Sequence, residues 1–399
     1  MIDSPLTSGT PNGSPSEMSV AATNASPALA SHPAQRFQFT GSGGEYFRIW
    51  IVNVLLTIVT LGIYSAWAKV RRLRYFYNNT RLAGSSFDFR GSPIAILKGR
   101  VIAFLLLLLI QVPILGAVVL IFYFALLPWF IYRSMRFHLA NTTYRNLRFA
   151  FMGTAGGIYR AILFPIAIIL ISVVMSFIVH FASRGIGSVM LAISIFAFYG
   201  IGPYIQYRIR AYVTAGSRMG TAQFGLHVGP GRYYLAYVVA VGYWIAYVAV
   251  AFAILATVFG LELSSLQGTM DAIKEGSIPH RVAMIILLAV FYIGMLAVVP
   301  LVQGMLQNTV WSGTSLERKA FQSDLRVANY VVTWLGVTIL TVITIGLYRP
   351  FAVVQLARLR LEALSWQGSP DDLIAVQRAG SDAAAGAEIT DMMDVDFGF

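Results

Sequence analysis

A short motif that begins with phenylalanine occurs five times along this chain, and the last four copies each follow a long apolar stretch. The copies read FQFTG, FDFRG, FAFMG, FGLHVG and, more weakly, FQSD, and they begin at Phe37, Phe87, Phe149, Phe224 and Phe321. A proline lies 21 residues before each of the last three, at Pro128, Pro203 and Pro300. Recurrence at a fixed offset is the signature of a fold assembled from similar units. We therefore predict five degenerate internal repeats.

The two ends of the repeated region are related by a second alignment. TLGIYSAWAKVRRLRYF, from Thr60, matches TIGLYRPFAVVQLARLR, from Thr344, and this match places Ala66 opposite Pro350. The first and last repeats each contain one apolar stretch, whereas the three middle repeats have room for two helices. The outer repeats are therefore expected to differ from the middle ones in how they meet the membrane.

The apolar stretches are too long and too continuous for a soluble protein. Only 12% of the residues are charged, against about 25% in soluble domains. A helix needs about 20 apolar residues to cross the hydrocarbon, and these runs lack the alternation of a membrane β-barrel. We predict an all-α polytopic membrane protein with six to eight transmembrane helices. Six crossings are expected at 94–111, 115–136, 161–183, 185–207, 233–258 and 282–303.

Two further stretches, 49–68 and 327–348, allow two interpretations. Each either crosses the membrane once or enters and leaves on the same side as a re-entrant hairpin. Length favours one crossing, because about 20 uncharged residues fit one span. Repeat symmetry favours the hairpin, because it would keep every repeat on the same side. Re-entrant backbone is tolerated where other helices bury it.

After each proline position the sequence becomes polar and basic. These five segments, which we call arms, hold 23 of the 29 lysines and arginines and span 67–100, 131–160, 206–232, 304–326 and 349–368. An excess of basic residues marks cytoplasmic loops. Each arm is predicted to begin as a helix that breaks from its span near the proline. It should end at Asn79, Asn141, Gly216 or Gly313, residue types that tolerate left-handed backbone. A short cytoplasmic β-hairpin is expected to follow.

Arginines at helical spacing are the candidate contacts for anionic lipid headgroups or anionic solutes. Six of them lie in the first three arms: Arg71, Arg74, Arg133, Arg136, Arg208 and Arg210. The simpler alternative is that they extend to the interface and fix topology. Polar residues inside the apolar stretches are few, namely Asn53, Gln111, Gln206 and Gln303. These amides either join helices by hydrogen bonds or line a path through the membrane.

The sequence offers little support for enzyme chemistry. The chain has no cysteine, and its five histidines are dispersed without the spacing of a metal site. We therefore expect no enzyme, no metal and no cofactor. The lipid bilayer is the expected partner, with anionic lipid at the arms, and nucleic acid is not. Residues 1–35 and 369–399 are predicted to be disordered tails, the second acidic, around a membrane domain at 36–368.

The run GGEYFRIWIVNVLLTIVTLGIYSAWAKVRRLRYFYNNTRLAGSSFDFRGSP, at 43–93, resembles the YjgN-like family of bacterial inner-membrane proteins. The likeness extends over about residues 36–370. It implies a multi-pass protein of the inner membrane, and it supplies no catalytic or binding residue. Passage of a small solute across the membrane is the first hypothesis for function. The alternative is a non-transporting lipid-binding or scaffold protein.

Overall fold

A unit of two helices joined to a β-hairpin recurs along the chain. The computed structural model describes residues 34–112, 115–259, 278–369 and 371–378. The helices are α1 Gly43–Val59, α2 Ser65–Asn78, α3 Pro93–Ile110, α4 Leu115–Ala140, α5 Ala155–Ala182, α6 Arg184–Gly216, α7 Pro230–Phe259, α8 Ile278–Ser312, α9 Val327–Ile343, α10 Arg349–Glu362 and α11 at 371–378. The strands are β1 Gln35–Arg36, β2 Gln38–Phe39, β3 Thr80–Leu82, β4 Ser85–Phe89, β5 Thr142–Tyr144, β6 Leu147–Phe151, β7 Ser217–Met219, β8 Ala222–Leu226, β9 Thr314–Leu316, β10 Lys319–Ser323 and β11 Leu364–Trp366.

The strands form one nearly closed antiparallel sheet. Neighbours follow the order β2, β3 and so on to β11, and β11 then pairs with β1. Only Phe37 separates β1 from β2, and its backbone N–H donates to the carbonyl of Leu364 (3.0 Å). The sheet therefore closes on itself and leaves almost no free edge. An all-α prediction that added only small hairpins did not include this ring of strands.

Short turns make the hairpins possible. In the β3–β4 turn, Ala83 and Gly84 have φ of 45° and 76°, and in the β5–β6 turn Arg145 and Asn146 have φ of 50° and 64°. Positive φ at both central residues defines the tight turn whose twist matches that of paired strands. All of these turns lie at the end of the sheet opposite the helices, since each helix pair starts and ends at a strand.

The glycine of the recurrent motif is explained by an aromatic ring. Phe89, the second aromatic residue of FDFRG, is fully buried and packs edge-on against Phe137 of α4 (centroids 6.4 Å apart). A Cβ atom on Gly91 would lie 2.5 Å from the Phe89 ring. The chain must pass directly beside this ring to enter α3, and only glycine leaves room for it.

The arm helices end where the sequence predicted, by a different mechanism. Asn79 and Asn141 follow α2 and α4 directly, and neither has positive φ. Their side-chain amides instead donate to carbonyls one turn back, at Tyr75 (2.9 Å) and Phe137 (2.7 Å). The helix end is therefore capped by a side-chain hydrogen bond to a helix-end carbonyl, where a residue with left-handed backbone was expected.

Among the described residues, six helices are long and apolar enough to cross a membrane. They correspond to α3 to α8 and match the six predicted crossings. The expected break at the prolines is wrong, because α4, α6 and α8 continue through Pro128, Pro203 and Pro300. The helices of the three middle arms are thus direct extensions of membrane helices.

The two ambiguous stretches are helical hairpins, not single straight spans. Helix α1 ends at Val59, a tight turn with Gly62 at φ 93° reverses the chain, and α2 returns to the sheet in contact with α1. Residues 344–348, with Gly346 at φ 88°, do the same between α9 and α10. The expectation from length is wrong because α1, at 17 residues, spans only about 25 Å and then turns back.

The helix pairs form a second ring over the sheet. Helix α2 contacts α3, α4 contacts α5, α6 contacts α7, α8 contacts α9, and α10 contacts α1. The two short pairs, α1–α2 and α9–α10, are therefore neighbours in this ring. Three long pairs and two short ones surround a common axis.

Residues 371–378 are helical, although disorder was predicted from residue 369 onward. Ser369 and Asp372 cap this helix, α11, by reciprocal bonds from the Ser369 N–H to Asp372 Oδ2 (2.7 Å) and from the Asp372 N–H to Ser369 Oγ (3.2 Å). The disorder predicted for 379–399 and for residues 1–33 lies outside the described residues, as does the loop at 260–277.

Candidate functional site

Five phenylalanines form a closed ring on the axis of the sheet. They are the first residues of the five motifs, and neighbouring ring centroids lie 6.2 to 6.5 Å apart all the way round: Phe37, Phe87, Phe149, Phe224, Phe321 and back to Phe37. Four of them lie at the centre of the longer strand of their hairpins, and Phe37 lies between β1 and β2. All five side chains belong to the core inside the sheet or pack against it. We call this set the phenylalanine ring.

The ring planes show how tightly the axis is closed. The planes of neighbouring rings differ by only 12° to 38°. Five planes that contained the axis would differ from their neighbours by a fifth of a turn. The rings therefore lie nearly perpendicular to the axis. A pentagon of these sides has its centre about 5.4 Å from each centroid, which leaves an opening on the order of one water molecule between the ring edges. The phenylalanine ring is therefore a hydrophobic constriction.

The phenylalanine ring borders an apolar cavity of about 380 Å³ inside the sheet. A second layer of inward side chains comes from the short strands: Leu82, Tyr144, Met219, Leu316 and Trp366. The Tyr144 hydroxyl donates to the carbonyl of Leu82 (2.7 Å), and burial raises the pKa of this phenol. The cavity offers few polar groups to a ligand, so water in it would be poorly held.

Helix α11 closes the end of the sheet farthest from the helix pairs. Leu373 is 2% exposed and lines the axial cavity. Val376 borders a surface pocket beside Thr221 and Glu317, at two hairpin turns, and Gln377 borders one beside Arg145, at a third. The helix thus lies across the opening of the sheet with Leu373 inserted along the axis.

Polar contacts hold α11 in place. Lys319 Nζ lies 3.4 Å from Asp372 Oδ2, and both side chains are about 40% exposed, so solvent screens much of their attraction. The Ser369 N–H, the Ser369 hydroxyl and Lys319 hold the pKa of Asp372 below its usual range, with the backbone hydrogen bond the largest cause. A charged Asp372 is therefore part of the docked arrangement.

The predicted arginines are spread over several environments. Arg74 Nε donates to the carbonyl of Phe89 (3.1 Å), and Arg71 reaches the hydroxyl of Tyr64 (3.5 Å). Arg133 and Arg136 line a cavity between α3 and α4.

Along α4, Arg133 lies over the ring of Trp129 (5.7 Å), and Arg136 reaches the hydroxyl of Tyr132 (3.4 Å). Arg208 and Arg210 are exposed on α6. The structure therefore does not bring the six arginines together.

The predicted amides are also separated. Gln303 Oε1 accepts from the hydroxyl of Tyr330 (3.1 Å), which joins α8 to α9, and Gln206 interacts with the hydroxyl of Tyr237 on α7. Gln111 is exposed at the end of α3. Asn53 is 7% exposed and lines a cavity between α1, α2 and α10. Two of the four join helices, and Asn53 lines a cavity.

Sequence reasoning missed the phenylalanine ring although it located all five residues. The available signal was the period of two within FQF, FDF and FAF, which places both aromatic residues on one face of a strand. It also missed α11, for which the capping pair Ser369 and Asp372 was a usable sign. Within the described part of the chain, no group of three or more His, Asp and Glu residues could hold a metal ion.

Comparisons with known proteins identify the family. A profile described as a bacterial protein of unknown function (DUF898) matches residues 34–392. Inner membrane protein YjgN of Salmonella typhimurium is 23% identical over 351 residues, which cover 84% of this chain and 89% of that protein. Inner membrane protein YjgN of Escherichia coli strain K12 is 34% identical over 125 residues, covering 30% of this chain and 31% of that protein.

No solved structure matches the chain. The matched profile covers all the described strands and helices, and the relatives named above are inner-membrane proteins. Together with six apolar helices able to span a membrane, these matches show that the chain is a multi-pass inner-membrane protein and belongs to the YjgN-like family of bacterial proteins of unknown function, DUF898.

Proposed function

We propose that this protein is a gated path for a small solute across the inner membrane, with the phenylalanine ring as its closed gate. The observation that carries the proposal is the ring itself, which surrounds the axis without interruption. A narrow apolar constriction blocks hydrated solutes because the water that must accompany them is unstable there. The gate opens when its side chains move apart and the constriction fills with water.

The architecture around the ring supports the same proposal. Five similar units, read as degenerate repeats, place five equivalent residues at equal distances from one axis. A ring that served only as a core would gain nothing from leaving a 380 Å³ cavity beside it, because voids cost stability. The basic arms put the sheet on the cytoplasmic side in this proposal. No catalytic step is part of it.

A polar substitution in the phenylalanine ring tests the gate. Phe149→Asn replaces one ring member by a side chain that holds water, so the constriction should hydrate and leak. The measurement is release of trapped chloride and entry of ribose in liposomes that contain the full-length protein. The expected result is a several-fold rise in both rates relative to the parent protein. The double variant with Leu373→Ala, which also loosens α11, should leak more.

Phe151→Asn is the matched control, because Phe151 belongs to the same strand and the same FAFMG motif. It is buried against Tyr132 and Tyr212 and does not line the axial cavity. It should destabilise the protein without opening a path. Equal leak from both variants, or no leak from the folded double variant, would exclude the gate.

One observation favours the alternative, a non-transporting lipid-binding or scaffold protein. Helix α3 has no buried residue along its 18-residue length. Such a surface suits lipid or another membrane protein. Absence of leak from the folded double variant would make this alternative the leading one.

A further inference from the structure

A second cavity, of about 490 Å³, lies away from the axial one and between α1, α2 and α10. Its most distinctive feature is charge, because four basic residues line it: Lys69, Arg72, Arg100 and Arg349. No Asp or Glu is among the described residues that line it. Like charges in one pocket repel unless an anion joins them. Burial, followed by the charges of Arg100 and Arg72, lowers the pKa of Lys69.

A buried amide whose oxygen lacks a hydrogen-bond partner lines the same cavity. Asn53 is 7% exposed, and its Oδ1 atom has no hydrogen-bond partner. A buried polar atom left unpaired costs free energy. A half-turn of the terminal bond lets this side chain offer either its oxygen to a hydroxyl group or its NH₂ group to an anion. The Oδ1 atom needs a donor such as a hydroxyl group, and the NH₂ group can donate to a phosphate oxygen.

The basic surface extends beyond this cavity. Lys69 and Arg100 also line the cavity between α3 and α4, of about 590 Å³, to which Arg133 and Arg136 contribute. The described residues that line the cavity between α3 and α4 also include no Asp or Glu. Arg100 donates to the hydroxyl of Ser65 at the start of α2, which joins the two cavities. The two cavities therefore share Lys69 and Arg100, and basic residues of α2 and α3 line both.

Apolar surface lies directly beside the charges. Trp50, Val54 and Ile58 of α1 line the cavity between α1, α2 and α10. The turn within each short helix pair carries exposed apolar side chains, with Leu61 94% and Ile345 93% exposed. Tips of this kind belong in lipid, because they would be costly in water. A ligand that fits both features has an anionic head and apolar chains.

We propose that Lys69, Arg72, Arg100 and Arg349 bind the phosphate group of an anionic phospholipid, with its acyl chains over the tips of the two short helix pairs. The short pairs are neighbours in the helix ring and reach less far from the sheet than the long pairs. They therefore leave a gap through which a lipid can lie against α1 and α10. Basic pockets between membrane helices suit such headgroups.

The test measures lipid binding to the full-length protein in a neutral detergent. Phosphatidylglycerol should raise the thermal midpoint of unfolding, and phosphatidylcholine should raise it much less. Lys69→Met and Arg349→Gln should each weaken the phosphatidylglycerol effect severalfold, and high salt should weaken it further. Without lipid and at low salt, Lys69→Met should melt above the parent protein, because one of four crowded cations is gone.

Lys98→Met is the matched control, since Lys98 lies two residues from Arg100 but is exposed on α3 and lines neither cavity. It should respond to lipid like the parent protein. An equal loss of response in Lys98→Met would overturn the proposal. So would a midpoint shift of the same size from inorganic phosphate, which would indicate a site for free phosphate, or from phosphatidylcholine, which would indicate apolar binding alone. These binding data do not depend on whether the axis conducts solute.

Discussion

Leu373→Ala tests whether α11 is held in the sheet by one buried side chain. Leu373 is 2% exposed, whereas Asp371 and Ala375 of the same helix are exposed. The contact is between a short terminal segment and a preformed ring. Its loss should therefore release α11 locally and leave the sheet and helix pairs folded.

The size of the effect follows from the buried area of one leucine. Leu→Ala changes in cores cost about 2 to 5 kcal/mol, and the low end applies where the site can relax. Because α11 is short and terminal, we expect about 2 kcal/mol, which changes the ratio of docked to released helix about thirtyfold. The capping bonds and the Lys319–Asp372 pair remain in the variant.

Hydrogen exchange of the amides at 371–378 measures this ratio directly. Exchange should become about thirtyfold faster in Leu373→Ala, while the amides of β4 and β6 should keep their protection. Ala375→Ser, an exposed position on the same helix, is the control and should leave exchange unchanged. If Leu373→Ala left the exchange of α11 unaltered, or if the sheet strands lost protection equally, the reasoning that Leu373 docks a separable helix would be refuted.

Two further predictions concern pH and packing. Because the pKa of Asp372 is lowered in the folded state, its stabilising effect is present above the ordinary pKa of 3.8 and is lost as pH falls through the lowered value. Helix α11 should therefore undock in acid, which hydrogen exchange detects. Lys319→Met should move this transition toward higher pH. Gly91→Ala should lower the free energy of unfolding by about 1 to 3 kcal/mol, since its methyl group would meet the Phe89 ring. Gly99→Ala, with no atom within 4 Å of the added methyl group, should not, and equal denaturation midpoints for the two would contradict this account of the motif.

Local features of the chain were readable from the sequence because local physics decides them. The six membrane helices follow from the length of uncharged runs, since backbone groups in lipid must be bonded within one helix. The ends of the arm helices at Asn79 and Asn141 follow from residue type and spacing. The hairpins follow from alternation and from turn residues such as Gly84.

The candidate sites were only partly readable, because they depend on distances between residues far apart in the chain. Arg71 and Arg74 share a helical spacing, yet Arg74 is bonded to a strand carbonyl. Lys69 and Arg349 are separated by most of the chain and line one cavity. Nothing in the spacing of one segment indicates such a meeting.

The sequence by itself determined that this protein is a membrane protein with its basic residues gathered in the arms. Only the tertiary structure decided that 49–68 and 327–348 turn back, because about 20 apolar residues fit one span by length and are held as a hairpin only when neighbours pack against them. It alone also decided that the sheet closes. Closure requires β11 to pair with β1 across more than three hundred residues, and only then do five phenylalanines from five segments face one axis.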